Sequence, residues 1–335
     1  MSKIAKGLGI ALLSAAAAAA FAAVVGSRAS TGECQGAASV AGVPTYRVQA
    51  ADGNCLQGYV WTPADAPVRA VAVLVHGIHD HPGRYAALAR GLNERGVAVY
   101  AQDHRGHGAS GGARQRVDSV AQLTGDVGLA VAKARQAHPG VPLFLYGHSM
   151  GGLVAAHMAA RPSAADTAPS QQPHQPLAGV VLSSAALVLP ASASGGARAV
   201  VGTLSRLAPG LPLEAVDPAQ IVREPAARGA LAEDPAIQRE KVPARTIATI
   251  LDGVIELQPL MPGIRAPLLI LHGGADKVTD PAGSRELAQR AGSPDKKLVV
   301  YDAALHSLLH EPEGSAALGE IVAFVDARLA AAKQP

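Results

Sequence analysis

The sequence predicts an α/β fold, a mostly parallel central β-sheet with helices on both faces and a helical cap inserted late in the chain. Three observations carry this. Short apolar runs alternate with longer amphipathic ones, the rhythm of strands joined by crossover helices. Several runs, such as Arg69–Val75 (RAVAVLV), are apolar throughout, as expected of strands buried on both faces. The rhythm fails between residues 190 and 262, where helical periodicity is broken by Pro209, Pro212, Pro218, Pro225, Pro235 and Pro243 and no convincing strand is evident.

Residues 1–29 read as an export signal rather than fold. Lys3 and Lys6 precede an apolar stretch with six consecutive alanines, Ala15 to Ala20, and Ser27 and Ala29 offer a small-residue cleavage site. An uncleaved N-terminal anchor is the alternative. The expected location is therefore outside the cytosol, whether periplasmic, secreted or membrane-anchored. The net charge is +3, and this segment holds three cations and no acid, so the remainder is near neutral. Nothing in it asks for nucleic acid. Residues 30–43 form a tail containing Cys34. With Cys55 it makes the only pair of cysteines, which in an exported chain predicts a disulfide.

The first part of the core spans 44–189. Pro44–Ala50 and Cys55–Trp61 read as a hairpin around Asp52-Gly53-Asn54. After the strand Arg69–Val75 come a helix over Tyr85–Arg95, a strand over Val97–Ala101, a helix over Ser119–His138, a strand over Val141–Tyr146 and a helix over Gly151–Ala160. Residues 163–176, polar and proline-rich, predict a surface loop, and Gly179–Ser183 resumes the sheet. The second part of the core, 263–335, carries strands at Pro267–Leu271 and Lys297–Tyr301 and a closing helix over Glu313–Ala331.

The chemistry begins at Gly147-His148-Ser149-Met150-Gly151-Gly152, between a strand and a helix. A serine on so sharp a turn needs small neighbours, and the turn lifts its hydroxyl above the sheet at a helix N-terminus. That hydroxyl needs a base, and in this arrangement the acid and the histidine follow the serine in the chain. Asp276, past the strand PLLIL, and His306, past KLVVY, stand where such sheets place their sites. Asp280 is the rival acid, better suited to capping the next helix, and His310 the rival base. Two amides would hold the oxyanion, that of Met150 and that of Ile78 in the loop His76-Gly77-Ile78. The string His76-Gly77-Ile78-His79-Asp80-His81 approaches a metal-binding pattern, but its spacing is off by one. The expectation is no metal and no cofactor, with these side chains bracing the loop. Asp103-His104-Arg105-Gly106-His107-Gly108 and Ser110 read as a structural turn that hydrogen-bonds adjoining loops.

The segments VHGIHDHPGRY (75–85), DHRGHGAS (103–110), LYGHSMGG (145–152), KVPART (241–246), PLLILHGGADKVTDPAGS (267–284) and AGSPDKKLVVYDAALHSLLHEPE (291–313) together resemble the monoacylglycerol lipase and lysophospholipase branch of the α/β-hydrolases, bacterial type. The resemblance implies Ser149, Asp276 and His306 as the triad, Ile78 and Met150 as oxyanion donors, and a mobile cap over an apolar acyl tunnel. Leu187, Val188, Val200, Leu204, Leu251 and Val254 are the candidate lining. The expected activity is hydrolysis of monoacylglycerols, lysolipids or other acyl esters through an acyl-enzyme on Ser149, with membrane-surface contact through the cap. One alternative is an aminopeptidase of the same fold, its amine held by cap acids such as Glu214, Asp217 or Asp234. The other is a catalytically silent sensor, which usually lacks one triad member; none is missing here.

Overall fold

The computed structural model describes Cys34 and residues 43–64, 66–161, 176–237 and 240–331. The expected export segment, most of the tail and nearly all of the expected loop at 163–176 lie outside these residues. Cys34 and Cys55 are joined, with Cα atoms 5.3 Å apart and a sequence separation of 21. A loop of that size contributes about 3 kcal/mol in the chain-entropy model.

The elements in chain order are strands β1 (Thr45–Gln49), β2 (Cys55–Trp61) and β3 (Ala70–Val75), helix α1 (Ala86–Asn93), strand β4 (Val97–Gln102), helix α2 (Val120–Ala137), strand β5 (Leu143–His148), helix α3 (Met150–Ala160) and strand β6 (Gly179–Ser183). There follow α4 (Gly195–Leu207), β7 (Pro212–Glu214), α5 (Pro218–Ile221), α6 (Pro225–Glu233), β8 (Val242–Pro243), α7 (Ala244–Leu257), β9 (Leu268–Gly273), α8 (Pro281–Arg290), β10 (Lys296–Tyr301) and α9 (Gly314–Ala331). The large sheet runs β1-β2-β4-β3-β5-β6-β9-β10. Only β2 opposes the common strand direction, pairing antiparallel with both β1 and β4.

Period-two alternation divides the core. Val71, Val73 and Val75 face α2, α3 and α7, beside Leu153 and Val154. Ala70, Ala72 and Leu74 face α1 and α9, beside Leu88, Leu92, Ile321 and Phe324. Both faces are covered, which is why β3, β4, β5, β6 and β9 read as unbroken apolar runs. Helix starts follow local chemistry. The Ser119 hydroxyl accepts from Gln122 N at 3.0 Å to open α2, and Asp280 accepts from Ala282 N at 2.8 Å to open α8.

The structure departs from the sequence reading in three places. The Tyr85–Arg95 helix begins with a 3-10 turn over Pro82–Tyr85, so α1 is shorter. The inserted segment does contain strand: β7 pairs with β8, a contact too short to show in periodicity. The second half of that segment is not a loose cover. Helix α7 buries Val254 and Leu257 in the core, and Thr246 Oγ1 donates to Gln115 O at 2.7 Å while accepting from Val117 N at 3.0 Å.

Candidate active site

The sheet reverses its winding between β3 and β5, the place where open α/β sheets hold their sites. β5 delivers Ser149, which sits at φ 55°, ψ −121° and is 6% exposed. A side chain at positive φ is strained, so the surroundings must hold it. They do so through its backbone. Its amide donates to Ser183 O at 3.1 Å, and its carbonyl accepts from Gly152 N, Leu153 N and Ala186 N at 3.0, 3.2 and 3.2 Å. The flanking glycines are forced by contact. A Cβ on Gly151 would run into the carbonyl oxygens of Val75 and His76, and one on Gly147 would stand 2.5 Å from Gly151 O.

Met150 is the first residue of α3, directly after the serine, so its amide has no acceptor within the helix. The loop after β3 lies against the same spot. A Cβ on Gly77 would stand 3.0 Å from Ser149 Cβ, and the next residue, Ile78, lines the cavity above the serine. The two amides expected to hold an oxyanion thus belong to segments that flank Ser149.

On the other side, His306 Nδ1–H donates to Asp276 Oδ2 at 2.8 Å. Asp276 also accepts from Val278 N (2.8 Å), Thr279 N (3.1 Å) and Thr279 Oγ1 (2.9 Å). Burial by itself would raise this carboxyl, but the facing imidazoles of His306 and His272 outweigh burial and hold it well below the usual carboxylate range. It stays ionised, with its charge directed at the ring. His306 and Ser149 line one cavity, and the His148 ring lies tilted against that of His306, with ring centres 4.8 Å apart. The rivals are occupied elsewhere: Asp280 caps α8, and His310 contacts Ser307 Oγ at 3.0 Å and Arg84 O at 3.2 Å.

That cavity is lined by Ile78, His79, Asp80, Arg84, His148, Ser149, Val216, Ile221, Val278 and His306. None of the six expected lining residues is among them. Leu187 and Val254 are buried in the core, Val200 is exposed, and Val188, Leu204 and Leu251 are half-buried. Helical spacing marks an apolar face but not what the face meets. Arg84 stands in the segment VHGIHDHPGRY, whose resemblance assigns it no role; Val216 and Ile221, in the proline-broken stretch, carry no sequence signal.

The remaining polar residues of the loop knit it to its neighbours. His79 contacts Gln115 Oε1 at 2.5 Å and Glu240 O at 3.0 Å; His81 pairs with Asp234 at 2.9 Å. Asp80 accepts from Arg84, Tyr85 and the His81 amide. The turn after β4 is equally engaged: Arg105 forks onto Asp126, and Ser110 Oγ bridges Asp103 O and Gln57 N. Among the described residues, no three His, Cys, Asp or Glu side chains are placed to hold a metal ion.

Residues 66–313 match the family described as Serine aminopeptidase, S33. The monoacylglycerol lipase of Mycolicibacterium smegmatis is 36% identical over 272 residues, covering 81% of this chain and 92% of that one. The human monoglyceride lipase is 33% identical over 284 residues, covering 84% and 90%. The crystal structure of Paleococcus ferrophilus monoacylglycerol lipase superposes with a TM-score of 0.69 at 31% identity, covering 82% of this chain and 99% of that one. A buried serine on a strained strand-to-helix turn, an ionised carboxylate behind an imidazole, and relatedness over most of the chain agree. The chain belongs to the Serine aminopeptidase, S33 family of α/β-hydrolases, in the branch that holds the monoacylglycerol lipases.

Proposed function

We propose that this carboxylic ester hydrolase cleaves monoacylglycerols or related single-chain acyl esters, with Ser149 as nucleophile, His306 as base and Asp276 as its partner. The observation that carries the assignment is the hydrogen bond to Asp276 from His306, the imidazole that lines one cavity with Ser149. Ser149 Oγ attacks the ester carbonyl carbon while His306 Nε2 takes its proton. The Met150 and Ile78 amides receive the negative charge on the carbonyl oxygen. The carbon–oxygen bond to the alcohol then breaks, and His306 returns the proton to the leaving alkoxide. Water, deprotonated by the same ring, attacks the acyl-enzyme and releases the fatty acid. Throughout, Asp276 keeps the ring in the tautomer with Nδ1–H and stabilises its charged form.

The family's printed description names an aminopeptidase, and the cavity argues against that activity here. A free amine would need a carboxylate facing it. None of the acids of the inserted segment lines the cavity; Asp234 pairs with His81 and Asp217 caps α5. Asp80 does line it, but its oxygens are taken by Arg84, Tyr85 and the His81 amide.

The cavity is about 20 Å³, room for one water molecule, so an acyl chain requires the segment bearing Val216 and Ile221 to move. Leu207 (79% exposed) and Val200 (44%) give α4 an apolar outer edge suited to a lipid surface. The Cys34–Cys55 bridge supports an exported enzyme, because disulfides persist in oxidising compartments. The test is an ester panel of varied chain length and alcohol beside Ser149→Ala. Monoacylglycerol turnover above that of aminoacyl amides, abolished in the variant, is expected; the reverse preference, or turnover retained in Ser149→Ala, defeats the reading.

A further inference from the structure

We infer that His76 is a positioning residue for the oxyanion site: its ring grips the Gly77 carbonyl and so aims the Ile78 amide at the reacting oxygen, with His104 fixing the tautomer that makes this grip. The inference rests on the reading of Ile78 as an oxyanion donor.

The hydrogen bonds assign each proton. The backbone amide of His104 can only donate, and it meets His76 Nε2 at 2.9 Å, so Nε2 is the acceptor. The neutral ring therefore carries its proton on Nδ1, which donates to Gly77 O at 2.7 Å. The reciprocal bond is assigned in the same way. The His76 carbonyl can only accept, and His104 Nε2–H donates to it at 2.9 Å. The two residues thus hold each other at two points, side chain to backbone in both directions.

The consequence lies in the peptide unit that joins Gly77 to Ile78. All peptide bonds among the described residues are trans, so this carbonyl and this N–H point in opposite directions. Gly77 has no side chain to limit its rotation, and a Cβ there would press on Ser149. Nothing intrinsic to a glycine fixes the plane. The His76 ring does: holding the carbonyl toward itself sets the N–H on the opposite side of the peptide plane, and the residue that carries this N–H lines the cavity with Ser149. A preorganised donor of this kind stabilises charge without reorganising at the moment of reaction.

Both rings are built to remain neutral. His76 is completely buried, and burial first, then the neighbouring His104 and His107, push it well below its ordinary value. His104 is brought down to about 4 by burial. Protonation of His76 at Nε2 would set it against the His104 amide and undo the clamp.

The experiment uses p-nitrophenyl butyrate turnover in the full-length protein, with an alkyl trifluoromethyl ketone as tetrahedral adduct and the matching alkylglycerol ether as ground-state probe. In His76→Leu, kcat should fall on the order of ten- to a hundredfold with KM unchanged, somewhat less than outright loss of an oxyanion donor. Affinity for the ketone should fall by the same factor and affinity for the ether should hold. His76→Asn keeps a donor where Nδ1 stands and should recover most of kcat. His104→Gln, which keeps a donor toward the His76 carbonyl, should exceed His104→Leu, and this pair decides the matter if His76→Leu does not fold. Equal weakening of ketone and ether, or an Asn variant no better than Leu at an unchanged melting temperature, overturns the inference. Wild-type protein that ignores the ketone, or active Ser149→Ala, instead overturns the serine-hydrolase reading beneath it.

Discussion

The amide of Ser307, next to the proposed base His306, donates to the carbonyl of Ile221 at 2.9 Å. Ile221 belongs to the inserted segment and lines the cavity, so that segment is hydrogen-bonded to the residue directly after His306. A second tie lies beside it. The Arg223 amide donates to Glu311 Oε1 at 2.5 Å, and its guanidinium pairs with Glu311 and Glu313. Glu311 is buried and ends the short turn that follows His306.

This pairing predicts that the segment at Ile221–Arg223 steadies His306. Arg223→Met removes the guanidinium and leaves the backbone bond. Turnover of p-nitrophenyl butyrate, a short ester, should fall on the order of tenfold, below the hundredfold that a misplacement of an ångström costs. Trypsin should cut the 206–228 stretch faster than in wild type. Unchanged turnover would show that the His306 loop stands without the cover.

Asp276→Asn makes a sharper prediction. Oδ1 can still accept from Val278 and Thr279 N, which leaves the new amide nitrogen facing His306 Nδ1. That nitrogen donates, so the ring must carry its proton on Nε2, where it cannot accept one from Ser149. A fall of about 10⁴ in kcat with an intact fold is expected. Steady-state kinetics beside circular dichroism checks it, and a loss under tenfold would mean that Asp276 does not set the tautomer.

Acid should unfold the protein through its buried histidines. Burial lowers His104 to about 4 and His107 and His148 to about 3, from 6.5 in the unfolded chain. Between those values the unfolded chain binds the protons and the folded one does not. The contribution is therefore complete above pH 6.5 and is lost as pH falls toward 4 and 3. Each ring steepens the loss by about 1.4 kcal/mol per pH unit. Three rings over two units rival the 5–15 kcal/mol stability of a typical domain. Asp103, Asp126 and Glu214, raised by burial, work in the opposite sense, whereas Asp80 and Asp276, held low by neighbouring cationic and imidazole groups, add to the loss in acid. Urea midpoints should be level near pH 7.5 and fall steeply below 6; a midpoint unchanged at pH 4.5 refutes the account.

The site was legible where chemistry forces sequence. The turn at Ser149 admits only glycine at 147 and 151, and each triad candidate follows a strand, buried for Ser149 and Asp276 and partly exposed at the sheet edge for His306, so spacing and strand order put the three forward. The helix-capping role of Asp280 was legible for the same reason, since an acid before a proline at the start of a helix has one cheap use. The cover was not. Val254 and Leu251 share a helix, yet one packs in the core and the other is half-buried, a distinction made by neighbours distant in sequence. Val216 and Ile221 reach the cavity through a proline-broken stretch whose path no period encodes. The same holds for β7 and β8, which pair across the whole of α5 and α6.

Two glycines of unlike surroundings give the last prediction. Gly151 sits where any Cβ collides with the backbone carbonyls of Val75 and His76, rigid atoms of β3 and the oxyanion loop. Gly151→Ala must therefore push the serine turn away from β3, separating Ser149 from the Ile78 amide, and should abolish turnover or prevent folding. Gly125 lies within α2, is exposed, and a Cβ there meets nothing within 4 Å. Gly125→Ala removes only unfolded-state freedom and should stabilise by about 0.5–1 kcal/mol, raising Tm by about 1 °C with kcat unchanged. Thermal melts and p-nitrophenyl butyrate kinetics on both variants check the pair. An active Gly151→Ala would mean that the turn can recede without cost, and the strain at Ser149 would then have no bearing on catalysis.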